Sequence, residues 1–134
     1  MAISPAVKVT TPLNSEKVSA PALRTLFRIA NAWGLDNKAQ MKLLGSPPRS
    51  TFYRWKQGEK VILSHDTLER VSYIFGIYSA LQVLLPKPEA ADAWLKKPNT
   101  APLFGGHSAL DRMLSGQVAD LYLVRQYLDA QRGG

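Results

Sequence analysis

The sequence contains no cysteine, which removes disulfides, thiol nucleophiles and thiolate metal ligands together and fits a reducing, cytoplasmic setting. Histidine is almost as scarce. His65 and His107 stand far apart, with no HExxH, paired-His metal spacing or GxSxG element around them. No apolar run reaches the roughly 18 residues of a membrane-spanning helix, so no membrane partner is expected. The opening segment MAISPAVKVTTPLNSEKVSAPA lacks the charged start and long apolar stretch of a secretory signal. Gly105-Gly106-His107-Ser108 precedes a helical pattern as an anion-binding loop would, but it has neither a Walker lysine nor a strand before it. Asp111, Asp120 and Asp129 recur nine apart and read as solvated faces. No catalytic residue, metal ligand or cofactor is expected, and the chain reads as a non-enzyme.

Positive charge is present, and it is uneven. The formal net charge is +7. Eleven Lys/Arg stand against five Asp/Glu in residues 1–85, but only six against five in residues 86–134. Such a one-sided excess points to a polyanion such as DNA, RNA or a membrane surface. The 46% apolar content is that of a folded protein. A length of 134 residues suits one compact domain, or two small helical subdomains sharing a core.

The patterning predicts an all-α protein. Residues 1–21 mix Ser, Thr, Pro, Lys and Val and read as a tail. Leu23, Leu26, Phe27, Ala30 and Trp33 recur at helical spacing until Gly34, with Arg24 and Arg28 left outside. Asp36 caps a short second helix that Gly45 closes. Ser46 is the expected cap of a third, with Phe52 and Trp55 as its inward knobs and Gly58 as its end. From Ser64 a long helix carries Leu68, Val71, Phe75, Tyr78 and Leu81. Ile74, Ile77 and Leu85 widen that stripe beyond one packing face, so this helix should touch two neighbours and join the two halves. EAADAWLKK makes a further short helix, 98–107 is turn chemistry, Ser108 caps ALDRMLSG, and the last helix spans about 118–130.

Two short helices joined by Gly45-Ser46-Pro47-Pro48 have the dimensions of a helix-turn-helix unit. Such a unit buries large residues to hold its second helix rigid and exposes short polar and cationic groups to base edges and phosphates. Arg49, Ser50, Thr51, Tyr53 and Arg54 are the expected reading residues, and Lys56, Gln57 and Lys60 the expected backbone contacts. The bland alternative is a helical hairpin with a solvated basic face. The motif STxxRWxxG at 50–58 resembles recognition helices of the Xre-type helix-turn-helix family, although the Pro-Pro entry departs from its usual small polar residues.

A second resemblance covers about 86–134. The order AxxWLxxPN, then LFGGxSALDxML, then SGxxxDLxxVRxYLDAxRGG is similar to the MbcA/ParS/Xre toxin-binding domain of type II antitoxins. The resemblance implies a tail at 1–21, an Xre-like DNA-binding domain at 22–85 and a toxin-binding domain at 86–134. It implies a RES-type, NAD-degrading toxin as partner, inhibited by obstruction of its NAD pocket. Arg125, Gln126, Asp129, Arg132 and the terminal carboxylate of Gly134 are the toxin-binding candidates. It further implies operator DNA bound by a homodimer, since paired helix-turn-helix units read half-sites about one DNA turn apart. On the residues alone, Trp94, Gly105 and Gly106 are scaffold: a buried ring and two positions free to take positive φ and to let the next helix pack closely. The alternative function is a plain repressor whose C-terminal half only dimerises.

Overall fold

The computed structural model describes residues 16–133, the side chain of Glu16 excepted. Among these residues there are seven helices and no strand: α1 (Glu16–Ala32), α2 (Asn37–Leu43), α3 (Arg49–Lys56), α4 (His65–Leu84), α5 (Pro88–Trp94), α6 (Ala109–Met113) and α7 (Val118–Gln131). A single isolated bridge pairs Pro98 with Ser108. The all-α expectation holds.

The long helix α4 is the spine. α1 packs along it on one side and α7 on another, and α5 closes over its end. The low polarity of its sequence has this cause. Val71, Ile74, Ile77, Ala80 and Leu81 are all buried, more than a single interface consumes. Leu68, Phe75 and Tyr78, expected at the centre of the stripe, are only half-buried, and Ile74 and Ile77 occupy the centre instead. Ser64 caps α4 as expected, its hydroxyl accepting from the Thr67 N–H.

α1 starts at Glu16, earlier than the tail reading allowed, and carries Pro21 inside it. A proline within a helix removes one intrahelical bond. Tertiary packing outweighs that loss here. Ser19 is fully buried and its hydroxyl accepts from the Leu63 N–H at 2.9 Å, tying the first turns of α1 to the segment before α4.

Candidate functional site

Two surfaces hold the residues singled out in the sequence, one at each end of the chain. The first is built on α2 and α3. Asp36 caps α2 by accepting from Ala39 N–H at 2.8 Å, as expected. The start of α3 differs. Pro48, not Ser46, stands at its N-cap, and Ser46 takes a φ of 57°. A residue before proline is pushed away from helical geometry, and with Pro47 and Pro48 in succession the helix begins only at Arg49.

Phe52 is completely buried and anchors α3, with the Phe27 ring edge-on at 5.9 Å. Trp55 packs against the core as expected but does not enter it fully. It is half-buried and lines a surface depression of about 380 Å³ with Arg24, Arg28, Phe27 and Lys56. Arg49, Ser50, Arg54, Gln57 and Lys60 are exposed, and Thr51 is half-buried. Tyr53, expected to be exposed, is half-buried against Phe52. Its hydroxyl accepts from Asn37 Nδ2 at 3.3 Å, while the Arg49 guanidinium lies 5.5 Å from its ring centre. Lys56 is engaged within the fold. Its ammonium donates to Gln40 Oε1 at 3.1 Å and Asn37 Oδ1 at 3.4 Å and lies 5.0 Å from the Phe27 ring centre. It thus fastens α3 to α2 and α1 while its side chain stays exposed. Arg24 and Arg28, one helical turn apart on α1, extend the basic surface. The sequence shows them outside the apolar stripe, but only the fold places them beside Lys56.

The second surface is carried by α5 to α7. Trp94 stacks on Tyr127 at 6.5 Å, and Phe104 meets both rings edge-on. Leu95 is fully buried. These rings fix the 98–107 loop to α7, as do Arg112 Nη1, donating to the Leu103 carbonyl at 3.1 Å, and its Nε, 3.0 Å from Asp120. Gly105 and Gly106 have φ of 56° and 91°, as expected. A side chain at either would meet nothing within 4 Å, so their use is the backbone conformation and not close helix packing. Ser108 caps α6 in a reciprocal capping box with Asp111.

On α7, Arg125, Asp129 and Arg132 form one cluster. Asp129 lies 3.5 Å from Arg125 Nε and 3.8 Å from Arg132 Nη1. With Ser72, Gly76 and Ser79 of α4 they line a polar depression of about 310 Å³. Arg125 lies across Gly76, where a Cβ would stand 2.6 Å from Arg125 Cδ. Gln126 is separate from this cluster, donating at 3.3 Å to the hydroxyl of exposed Tyr122. Tyr122 in turn meets Tyr73, whose phenol donates to Glu69 at 2.8 Å. Gly134 lies outside the described residues. Nearby, Trp94, Tyr127, Leu84 and Leu85 line an apolar depression of about 230 Å³ that sequence reasoning missed, because it forms only where α7 meets the α4–α5 corner.

Comparison with known proteins follows the same division. Residues 13–76 match the family described as Antitoxin Xre-like helix-turn-helix domain, and residues 80–134 match the Antitoxin Xre/MbcA/ParS C-terminal toxin-binding domain. This chain belongs to the Xre-type antitoxins. The antitoxin is also 52% identical over 122 residues to a protein described as uncharacterized protein y4oB of Sinorhizobium fredii (strain NBRC 101917 / NGR234), covering 90% of this chain and 92% of the relative. Its two domains give the antitoxin a toxin and DNA as partners and point to a regulatory rather than an enzymatic role. No described helix is long and apolar enough to cross a membrane.

Proposed function

We propose that the antitoxin restrains a RES-type, NAD-degrading toxin with its C-terminal half and represses its own operon with its N-terminal half, acting as a cytoplasmic homodimer. The observation that carries this reading is the placement of two recognition surfaces on one spine. One is the polar, cationic α3, and the other is the Arg125–Asp129–Arg132 cluster, set against the middle of α4 and beside an apolar depression. In this reading Arg49, Ser50, Thr51, Tyr53 and Arg54 meet bases, and Gln57 and Lys60, with Arg24 and Arg28, meet phosphates. The C-terminal turn of α7 covers the toxin pocket. Arg125, Asp129 and Arg132 provide polar groups of both signs for that contact. Exposed Val83 and Tyr122, with 61% and 45% of their surface open, supply apolar area for self-association.

Co-expression with the product of the adjacent reading frame tests the toxin half. A stable complex is expected, with NAD consumption by that product suppressed in the complex and restored when the two are separated. A neighbour that co-purifies but consumes no NAD would overturn the toxin class. Absence of any complex would leave a plain repressor. For DNA, an Arg49/Arg54 double alanine variant should lose discrimination between the upstream region and unrelated duplex. Unchanged discrimination would remove α3 from the reading role.

A further inference from the structure

We infer that Arg70 is a positioning residue that holds the DNA-reading turn and the toxin-binding half in fixed relation, by docking one guanidinium against both. The inference rests on the reading above, in which α3 meets DNA and α7 meets the toxin. Arg70 rises from the second turn of α4, and its side chain is only 11% exposed although its charge is permanent. Nε pairs with Asp66 at 3.0 Å, one turn earlier on the same helix. Nη1 donates to the carbonyl of Gly116, in the turn between α6 and α7, at 3.0 Å. On another side lies Gly45, in the turn between α2 and α3. A Cβ there would stand 2.9 Å from Nε and 3.2 Å from Cζ. Residues 45, 70 and 116 come from three regions of the sequence, which is why no local pattern reveals the junction.

The residue types suit that task. Gly45 and Gly116 have φ of 86° and 91°, so both turns use a residue that takes this backbone, and at Gly45 the missing side chain also lets the guanidinium approach. Arginine offers five donors in a planar fork, whereas a lysine ammonium is one compact point and cannot reach partners lying in different directions. The two turns lead directly into the functional helices: α3 begins four residues after Gly45, and α7 begins two residues after Gly116. A partner that moves the start of α7 therefore moves the carbonyl that holds Arg70, and with it the support beneath the entry to α3. The coupling runs through packed groups that touch, not through distance alone.

Hydrogen exchange on the full chain, without DNA or toxin, tests this. The amides of Gly45 and Ser46, bonded to the Lys42 and Met41 carbonyls, report on one turn. Those of Ser115 and Gln117, bonded to the Arg112 carbonyl and the Ser115 hydroxyl, report on the other. In Arg70→Met the Ser115 and Gln117 amides should exchange about tenfold faster, the scale of one charge-assisted hydrogen bond. The Gly45 and Ser46 amides, which lose packing against the guanidinium, should also exchange faster, with the amides of central α4 unchanged. Acceleration at one turn only, at neither, or uniformly throughout the chain would overturn the inference. Should Arg70→Met fail to fold, Arg70→Lys decides. It keeps the charge and the Asp66 pair, so joint loosening of both turns is still expected, and wild-type exchange at either would overturn the proposal. A salt titration of binding to DNA from upstream of the gene adds a readout that a phosphate contact would move. Affinity of Arg70→Met should fall about tenfold with the slope of log K against log salt unchanged, since Arg70 acts through the turn and not on a phosphate. A slope reduced by about one would make Arg70 a backbone contact and overturn the assignment. If the wild-type chain binds no DNA, the DNA reading fails by itself while the exchange experiment still decides Arg70.

Discussion

Phe52 and Lys56 show how much of α3, the proposed reading helix, is devoted to holding it still. Phe52 has no exposed surface, so Phe52→Ala should cost about 3–5 kcal/mol in a denaturant titration and release α3. Lys56→Met keeps the apolar stem beside Phe27 but removes the bonds to Asn37 and Gln40. Urea unfolding should register a loss of about 1 kcal/mol, with the salt dependence of DNA binding left as in the wild type. That outcome separates an internal fastening from a phosphate contact. Arg54, exposed and unengaged by any described side chain, should behave differently. Arg54→Ala should relax base preference by about 1–3 kcal/mol at the positions it reads, seen in binding to single-base operator variants. Tyr73 gives a pH signature. Its phenol is held above its ordinary 10.0 by the hydrogen bond to Glu69, then by burial. A raised value in the folded state means that this contribution is complete below about pH 10 and is lost as pH rises through the shifted value. In an ultraviolet titration, Glu69→Gln should bring one tyrosine to ionise earlier.

At the scale of elements, sequence patterning carried far where a local signal existed and failed where tertiary contact decided. Ser108 and the glycine pair before it are local signals and were legible, whereas Asp111, which reads as a solvated face, supplies the other half of the capping box. Ser108→Ala should lower stability by about 1 kcal/mol in thermal unfolding and loosen the α6–α7 unit. The start of α1 was not legible. Pro21 argues for a boundary, and only the distant Leu63 N–H, received by Ser19, shows why the helix continues through it. The start of α3 was misread for the opposite reason. Ser46 is a good cap by type, but two prolines after it shift the first helical residue to Arg49. The candidate sites divide the same way. The exposed residues of α3 follow from one helix and could be named in advance, whereas the pairing of Arg125 with Gly76, the depression at Trp94 and Tyr127, and the Arg70 junction each need helices brought together by the fold.

The helix-turn-helix and toxin-binding domains share one core, because α4 is common to both. Val71, Ile74, Ile77 and Leu81 are buried between α1 on one side and the C-terminal helices on the others. A fragment ending at residue 85 would expose α4 where α7 now covers it. It should fail to give a cooperative thermal transition or should aggregate on expression, although it holds the complete helix-turn-helix. A soluble, cooperatively folding 1–85 fragment would mean that α1 to α4 suffice alone.

The crossing of Arg125 over Gly76 carries a last consequence, for how chains of this kind could exchange partners. Recombination at the Pro86–Pro88 break would look clean, since it falls between two helices, yet it would separate the two residues of that crossing. A newly acquired ending with arginine at 125 needs the missing side chain at 76, and a bulkier residue there would push its guanidinium away from the spine. Hybrids joined at this break should keep the crossing only where the pair at 76 and 125 already agrees; elsewhere the arginine, 38% exposed, would have to swing outward.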